Sequence, residues 1–343
     1  MSSAESSATR TPSPTSSLED VIAGVNELSV SNVSATPMEQ VRQFFSGMNH
    51  SAILKYALGV DHPNAPELAK ETIVITMDCE KFEHEPRCLT EFGLNTFARK
   101  DMAARLNSPS IGPHGETLMK EIYFYHMRLL DKAHYVNRTF CPGDPEKNIF
   151  GVTRFVTDQE AKDFLTSMIA WPITSGAGTC PVVFLGHAVS NEIEMLRDLQ
   201  VNPAAISNVV SIIDTQQIAR EQGIRGRSHQ IGLSPLMTHF DVAFRHGHTA
   251  SNDAAYTTIA AVQMVMRDRF KESKRSLQDV VDDLESWSRQ IDSKTGILKH
   301  CTRCGSKRHC RPACRGGIKR CNRCLKAGKE KAAYTHITNL CTH

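Results

Sequence analysis

The stretch Glu71-Thr-Ile-Val-Ile-Thr-Met-Asp-Cys-Glu80 decides how the rest of the chain is read. Through Met77 it is rich in β-branched and apolar residues, as in a buried strand. Asp78 and Glu80 stand two apart at its end, and side chains two apart on a strand share a face. The spacing therefore predicts a carboxylate pair able to hold a hard cation, with Cys79 facing away. Far downstream the chain reads His248-Thr-Ala-Ser-Asn-Asp253. Asp253 adds a carboxylate, and His248, about one helical turn earlier, lies where a general base reaches an attacking water. Carboxylates with one histidine suit a two-metal nuclease, in which paired cations stabilise the attacking and leaving oxygens. Alone, an Asp-x-Glu strand end is more often a strand entering a polar loop, and a single histidine more often a packed or capping one. The two together, with the segments between them, favour the nuclease.

Those segments describe an α/β domain. Pro181-Val-Val-Phe-Leu185 reads as a second short strand, followed by Gly186-His187 and a helical pattern over 190–199. Val209-Val-Ser-Ile-Ile-Asp214 reads as a third, leading into helical residues 215–219. Residues 122–127 suit another strand and 158–170 a helix, with 137–155 a loop-rich border to a substrate groove. Upstream, 37–60 holds one or two short helices. Leu277, Val280, Val281, Leu284, Trp287 and Ile291 fall on one helical face behind a Ser276/Asp279 capping box.

The order of these motifs resembles the DEDDh 3′–5′ exonucleases of the ribonuclease-H-like fold, over about residues 65–270. The family's Asp-x-Glu falls on Asp78 and Glu80, and Thr90-Glu-Phe-Gly-Leu94 matches its second hairpin strand. The Gly-His motif, followed five residues later by an aspartate, falls on Gly186, His187 and Glu192. His-x-Ala-x-x-Asp falls on His248, Ala250 and Asp253. The phrase beginning at His248 looks most like a fungal branch that includes the exonuclease partner of a small-RNA-silencing Argonaute. The resemblance implies that Asp78, Glu80 and Asp253 bind Mg²⁺ or Mn²⁺, two ions in all, with His248 as general base. The family has aspartate where this chain has Glu192, which keeps the charge but moves it by one methylene. Asn191 would be a poorer ligand there, and a plain acidic residue in a helix's first turn is the alternative. The expectation is that Glu192 replaces the aspartate and supports the second metal.

The C-terminal residues carry a separate signal. Cys301, Cys304, His309 and Cys314 have the spacing C-x2-C-x4-H-x4-C, which closes tetrahedrally around Zn²⁺, and Gly305 permits the tight turn after the second ligand. This resembles a CCHC zinc knuckle. A second unit begins at Cys321 and Cys324, with its histidine delayed to His336 and Cys341 following at the same x4 spacing. Cys310 and His343 are spare ligands for it. Both zincs would be structural, because four protein ligands leave no open position.

Charge divides at the same place. Residues 299–343 hold twelve Lys/Arg and one acidic residue, a balance of +11, against −8 for the rest of the chain. A basic arm on an acidic body is a footprint for nucleic-acid phosphate, and zinc knuckles suit unpaired strands. A nuclear or nucleolar targeting run, or a protein-binding knuckle, are the blander readings. The first 36 residues, rich in Ser, Thr, Ala and Pro, are expected to be disordered. Neither a secretory signal nor a membrane-spanning stretch is evident, and cysteines in metal spacing suit the reducing cytoplasm or nucleus.

The sequence thus predicts an α/β, ribonuclease-H-like mixed sheet flanked by helices over 65–270, after a tail (1–36) and a helical lead-in (37–64). An amphipathic helix and linker (271–298) and two zinc knuckles (299–343) follow. The activity expected is metal-dependent 3′–5′ trimming of single-stranded RNA, favoured over DNA. An Argonaute or other RNP protein is a candidate partner. The alternative is a catalytically silent adaptor of the same fold.

Overall fold

Alternation along the strand Ile73–Lys81 (β1) divides the molecule into two cores. Ile73, Ile75, Met77 and Cys79 enter one apolar cluster, and Val74 enters the other. By the two-residue period Asp78 and Glu80 share the face of Val74, and Cys79 faces away as the spacing predicts. Ile75 is fully buried, so truncation to alanine costs about 2–5 kcal/mol. The computed structural model describes residues 35–343, apart from 175, 227–229, 317–319 and 342–343. The expected disordered tail thus lies, but for its last two residues, outside the described residues, as does His343.

β2 (Leu89–Ala98) returns antiparallel to β1, setting Gly93 opposite Asp78 and Glu91 opposite Glu80. β3 (Tyr123–Leu129) is antiparallel to β2, and β4 (Val152–Val156) is parallel to β3. On the other side β5 (Val182–Gly186) and β6 (Val209–Asp214) run parallel to β1. The sheet order is β4-β3-β2-β1-β5-β6, a mixed α/β sheet of the kind expected. β5 pairs only with Ile73–Thr76 of β1, so the acidic end of β1 projects past its parallel neighbour.

Residues 37–60 form two helices, α1 (Pro37–Ser46) and α2 (His50–Ala57), whose Val41, Phe45, Ile53 and Leu54 are buried. α3 (Arg99–Leu106) follows β2, and α4 (Asp158–Ile169) starts at a Thr157/Glu160 capping box. α5 (Ser190–Met195), α6 (Thr215–Glu221) and α7 (Leu233–His239) lead to α8 (Ala250–Met266), in which all seventeen residues are buried. A helix buried all round needs small residues where it meets the sheet. Here the fit is so close that a Cβ on Gly93 would lie 2.3 Å from the Ala250 carbonyl oxygen. Asn95 Nδ2 then donates to Thr258 Oγ1 at 3.0 Å, fixing the same pair of elements.

Two expectations need correction. The loop-rich segment 137–155 contains β4, an edge strand whose Arg154 Nε donates to Asp292 Oδ1 at 2.8 Å. The strand is only five residues long and Thr153 and Arg154 break its apolar run, so its signal is weak. The helix α9 (Leu277–Ser288) has the predicted capping box, but it ends before Ile291, which is exposed. Among the described residues no helix is long and apolar enough to cross a membrane.

Candidate active site

Four carboxylates and one imidazole converge where β1, α5 and the start of α8 meet. Glu80, His248 and Asp253 each offer a ligand atom, all within 4.8 Å of one another. His248 Nδ1 lies 3.6 Å from Glu80 Oε1, and the His248 backbone N–H donates to Asp253 Oδ2 at 2.9 Å. Glu192 arrives from α5, and its Oε2 accepts from the Cys79 N–H at 2.8 Å. Asp78 stands among them on β1. The five residues singled out in the sequence are thus brought together, although the tight triad excludes Asp78 and Glu192.

The electrostatics of the group are unfavourable without a cation. Burial, and then the charges of Glu192, Asp253, Glu80 and Glu91, push the Asp78 carboxyl well above the ordinary range. Burial and the charge of Glu80 raise Asp253 to about 8, against the His248 N–H. Burial raises Glu192 to about 8 too, despite its bond to Cys79. Glu80 is raised by burial and partly relieved by His248, whose imidazole is in turn raised chiefly by Glu80. Asp78 Oδ2 and Asp253 Oδ1 are buried with no hydrogen-bond partner among the described residues. Orphaned hard oxygens under mutual repulsion are the donor set that Mg²⁺ or Mn²⁺ requires. The residues fit the metal.

Three further groups hold this arrangement and were not singled out from sequence. Glu91 on β2 is buried beneath the site, 3.2 Å from His126 Nε2 and 3.8 Å from Arg128 Nε. Its Oε1 accepts from the Ala250 N–H at 3.0 Å, fixing the N-terminus of α8 and hence Asp253. Burial alone would raise Glu91, but His126, Arg128 and that N–H together carry it below the usual carboxylate range. Asp214, at the end of β6, accepts from the Val189 N–H at 3.0 Å and the Ala188 N–H at 3.3 Å. It thereby shapes the Gly-His turn that launches α5 with Glu192. His187 itself bonds Thr215 Oγ1 at 2.7 Å, a structural role.

The third is Glu83, just past β1. Its carboxylate accepts from the backbone N–H groups of Arg138, Thr139, Phe140 and Cys141, at 2.7–3.2 Å. Burial raises its pKa, but these four donors together outweigh it and lower the pKa to about 2. The loop so held packs on His248: a Cβ on Gly143 would lie 2.1 Å from the His248 carbonyl oxygen. It presents Phe140, 74% exposed, beside the site. A lone glutamate after a strand carries no signal of this role, which depends on a loop more than fifty residues away.

Both cysteine clusters assemble. Donor atoms of Cys301, Cys304, His309 and Cys314 lie within 4.8 Å of one another, and so do those of Cys321, Cys324, His336 and Cys341. Gly305 takes the turn at φ 72° that its place after the second cysteine requires. Cys310 points elsewhere, with its Sγ 3.9 Å from the Leu298 carbonyl oxygen. The clusters are compatible with zinc knuckles. They also pack against the sheet-bearing region, with the His336 ring 4.5 Å from that of His134 and the His300 ring 5.5 Å from that of Phe155.

A mixed sheet with Asp-x-Glu at the end of its central strand and a His-x-x-x-x-Asp pair entering the neighbouring helix defines an exonuclease-type domain. Residues 73–264 match the DEDDh_C family, described as DNA polymerase III subunit epsilon-like, C-terminal domain, and the chain belongs to that family. A nucleolar protein of Schizosaccharomyces pombe, described as uncharacterised, is 25% identical over 195 residues, covering 55% of this chain and 68% of that protein. Among solved structures, a zinc-bound complex of E. coli exonuclease I with single-stranded DNA matches at 16% identity and a TM-score of 0.35, over 58% of this chain and 41% of that one. E. coli exonuclease I with a dA16 oligonucleotide matches at 14% identity and a TM-score of 0.35, with the same coverage. The chain thus spans about two-fifths of the length of these exonuclease I chains.

Proposed function

We propose that the protein is a metal-dependent exonuclease that trims single-stranded nucleic acid from its 3′ end, with RNA as the favoured substrate. The observation that carries this reading is the convergence of Asp78, Glu80, Glu192, His248 and Asp253 around two orphaned carboxylate oxygens. Asp78, Glu80 and Asp253 would hold Mg²⁺ or Mn²⁺, with Glu192 supporting a second ion. Bound there, the cations would supply Lewis-acid stabilisation of the attacking and leaving oxygens. His248 is half-exposed, so its ring reaches solvent and takes the proton of the attacking water while Glu80 orients the imidazole. Asp253 holds the backbone of His248, and Glu91 holds the start of α8, so base and carboxylate move as one unit.

The exonuclease-like domain is assigned to 65–270 and two zinc knuckles to 299–343, each knuckle closed by three thiolates and one imidazole. The knuckles bring positive charge to the strand. The nucleolar relative supports a nuclear location, and the resemblance to a silencing-associated branch supports an Argonaute or other RNP protein as partner. Incubation of the purified protein with end-labelled RNA and DNA oligonucleotides in Mg²⁺, Mn²⁺ or EDTA tests the proposal. Stepwise shortening from the 3′ end, abolished by EDTA, is expected; no shortening of either polymer in any metal rejects it.

One observation favours a second reading, a strand-binding adaptor without catalysis. Glu192 replaces the shorter aspartate, and one of its oxygens is committed to the Cys79 backbone. An inactive native protein that gains activity as Glu192→Asp would establish that reading.

A further inference from the structure

Three clefts meet at one side chain, Arg138. One, of about 420 Å³, runs past Pro142 and Gly143 to His246 and Gly247, the residues just before the catalytic His248. A second, of about 260 Å³, lies between the Val136–Glu146 loop and Arg303, Arg311 and Pro312 of the first cysteine cluster. A third, of about 650 Å³, lies between Phe82, Tyr135 and the 328–332 turn of the second cluster. The 136–146 loop and the first cysteine cluster therefore face each other across a path that leads towards His246 and Gly247.

The middle cleft is the informative one. Arg138, Arg303 and Arg311 all line it, and none makes an ion pair among the described residues. The two acids on its wall are already engaged. Glu146 Oε1 accepts from buried Arg128 at 2.7 Å, and Asp144 Oδ1 caps the Glu146 N–H at 3.2 Å. With Glu146 already paired to Arg128, three arginines against the one carboxylate of Asp144 leave the cleft net positive, and their planar forks suit phosphate oxygens. Arg138 cannot swing its backbone away, because Glu83 holds its N–H at 2.9 Å. On the flanking wall Phe82 stacks on the buried Tyr135 with ring centroids 4.6 Å apart, and Phe140 is the exposed ring of this loop. Positive charge near an exposed aromatic ring suits an unpaired strand.

We propose that Arg138, Arg303 and Arg311 form a clamp for a backbone phosphate of the single strand, upstream of the bond to be cut. This rests on the exonuclease reading for its direction, and it makes the first zinc unit a fixed wall of the strand's path. The zinc fold sets the clamp, because Arg303 sits between two zinc-ligand positions and Arg311 between two others.

The test uses the full-length chain with Asp78→Asn to suppress turnover. Fluorescence anisotropy reads its binding to labelled oligo-U and oligo-dT of graded length at several salt concentrations. Adding Arg303→Ala and Arg311→Ala should weaken binding of a dodecamer by on the order of tenfold at low salt. The log–log salt slope should flatten by about 0.7, the one clamped phosphate. Arg138→Ala, outside the zinc unit, should flatten it in the same direction but by less. The loss should shrink as the strand shortens towards a dinucleotide. The lysine versions at 303 and 311 should restore most of the slope, and zinc content should equal that of the parent, separating a lost contact from a lost fold. An unchanged slope in the triple alanine variant with zinc intact overturns the clamp. So does a loss confined to an acidic peptide probe, which would assign the cleft to a protein. The parent reading fails separately: arginine-dependent strand binding by a native protein that trims nothing would reject the exonuclease and keep the clamp.

Discussion

The carboxylate site and the cysteine clusters are both places for metal, yet they relate to the fold in opposite ways. The carboxylates sit on a sheet and a helix with an apolar core of their own, in which Ile75, Phe92, Ile259 and Val262 are buried. The second cysteine cluster has almost no core, its buried apolar set being Cys321, Cys324 and Ala333. In the first region the protein positions groups that repel one another, so metal relieves strain already present. In the second the candidate ligands are the core, so binding of a metal and folding would be one event. Stability and activity should therefore separate in one region and stay joined in the other.

The sharpest way to break this contrast is Asp78→Ala. It should cut metal-dependent trimming by about a hundred- to a thousandfold, while the metal-free melting temperature holds or rises because a buried carboxyl with an unpartnered oxygen has gone. Cys324→Ser should do the reverse. Metal analysis is expected to find about two zincs in the parent and about one in the variant, with local unfolding of residues 321–341 and weaker strand binding, but cleavage of saturating short strands retained. A parallel loss of core melting temperature in the serine variant would merge the two regions.

Glu192 tests how finely the sheet site is built. Glu192→Gln should cut turnover by roughly ten- to a hundredfold, whereas Glu192→Asp should preserve or raise it. An unchanged rate with glutamine would make Glu192 a structural acceptor for Cys79 alone.

The smallest effect expected is on pH dependence. Glu192 and Asp253 stand at about 8, above their ordinary values, so the metal-free folded state holds more protons than the unfolded one. Their contribution to stability is complete below about pH 4 and is lost as pH rises through about 8. Metal-free protein should therefore melt several degrees lower at pH 9 than at pH 6, at about 2–4 °C per kcal/mol lost. Saturating Mn²⁺ should remove the slope, and an equal slope with and without it would contradict the electrostatic account. Cation uptake should strengthen over the same range, because the carboxylates and His248 must shed protons first.

What was legible in the sequence follows the same division. β1, β5 and β6 are apolar runs ending in Asp78, Gly186 and Asp214, and their strand character is local. The cysteine spacing was equally local, and Gly305 marked its turn. Glu91 was not legible as a positioning group, since its role needs His126 and Arg128 from the next strand and Ala250 from a distant helix. β4 is not legible because Thr153 and Arg154 interrupt its short apolar run, and Arg154 finds its partner at the remote Asp292. Glu83 was invisible because its four donors are backbone groups, which sequence does not display.

The close approach at Gly93 has a consequence for how loss of function would look. Gly93 faces Asp78 across the β1–β2 pair and touches the first residues of α8, so it sets the gap between the two halves of the acidic site. A single added methyl would wedge the helix outward and carry Asp253 and His248 with it, while all five presumed catalytic residues stayed in the sequence. A lineage could thus retire the enzyme and keep its signature, and an intact motif set would be read as activity where none was left. Position 93 is the spacer to inspect in any relative whose acidic residues are all present.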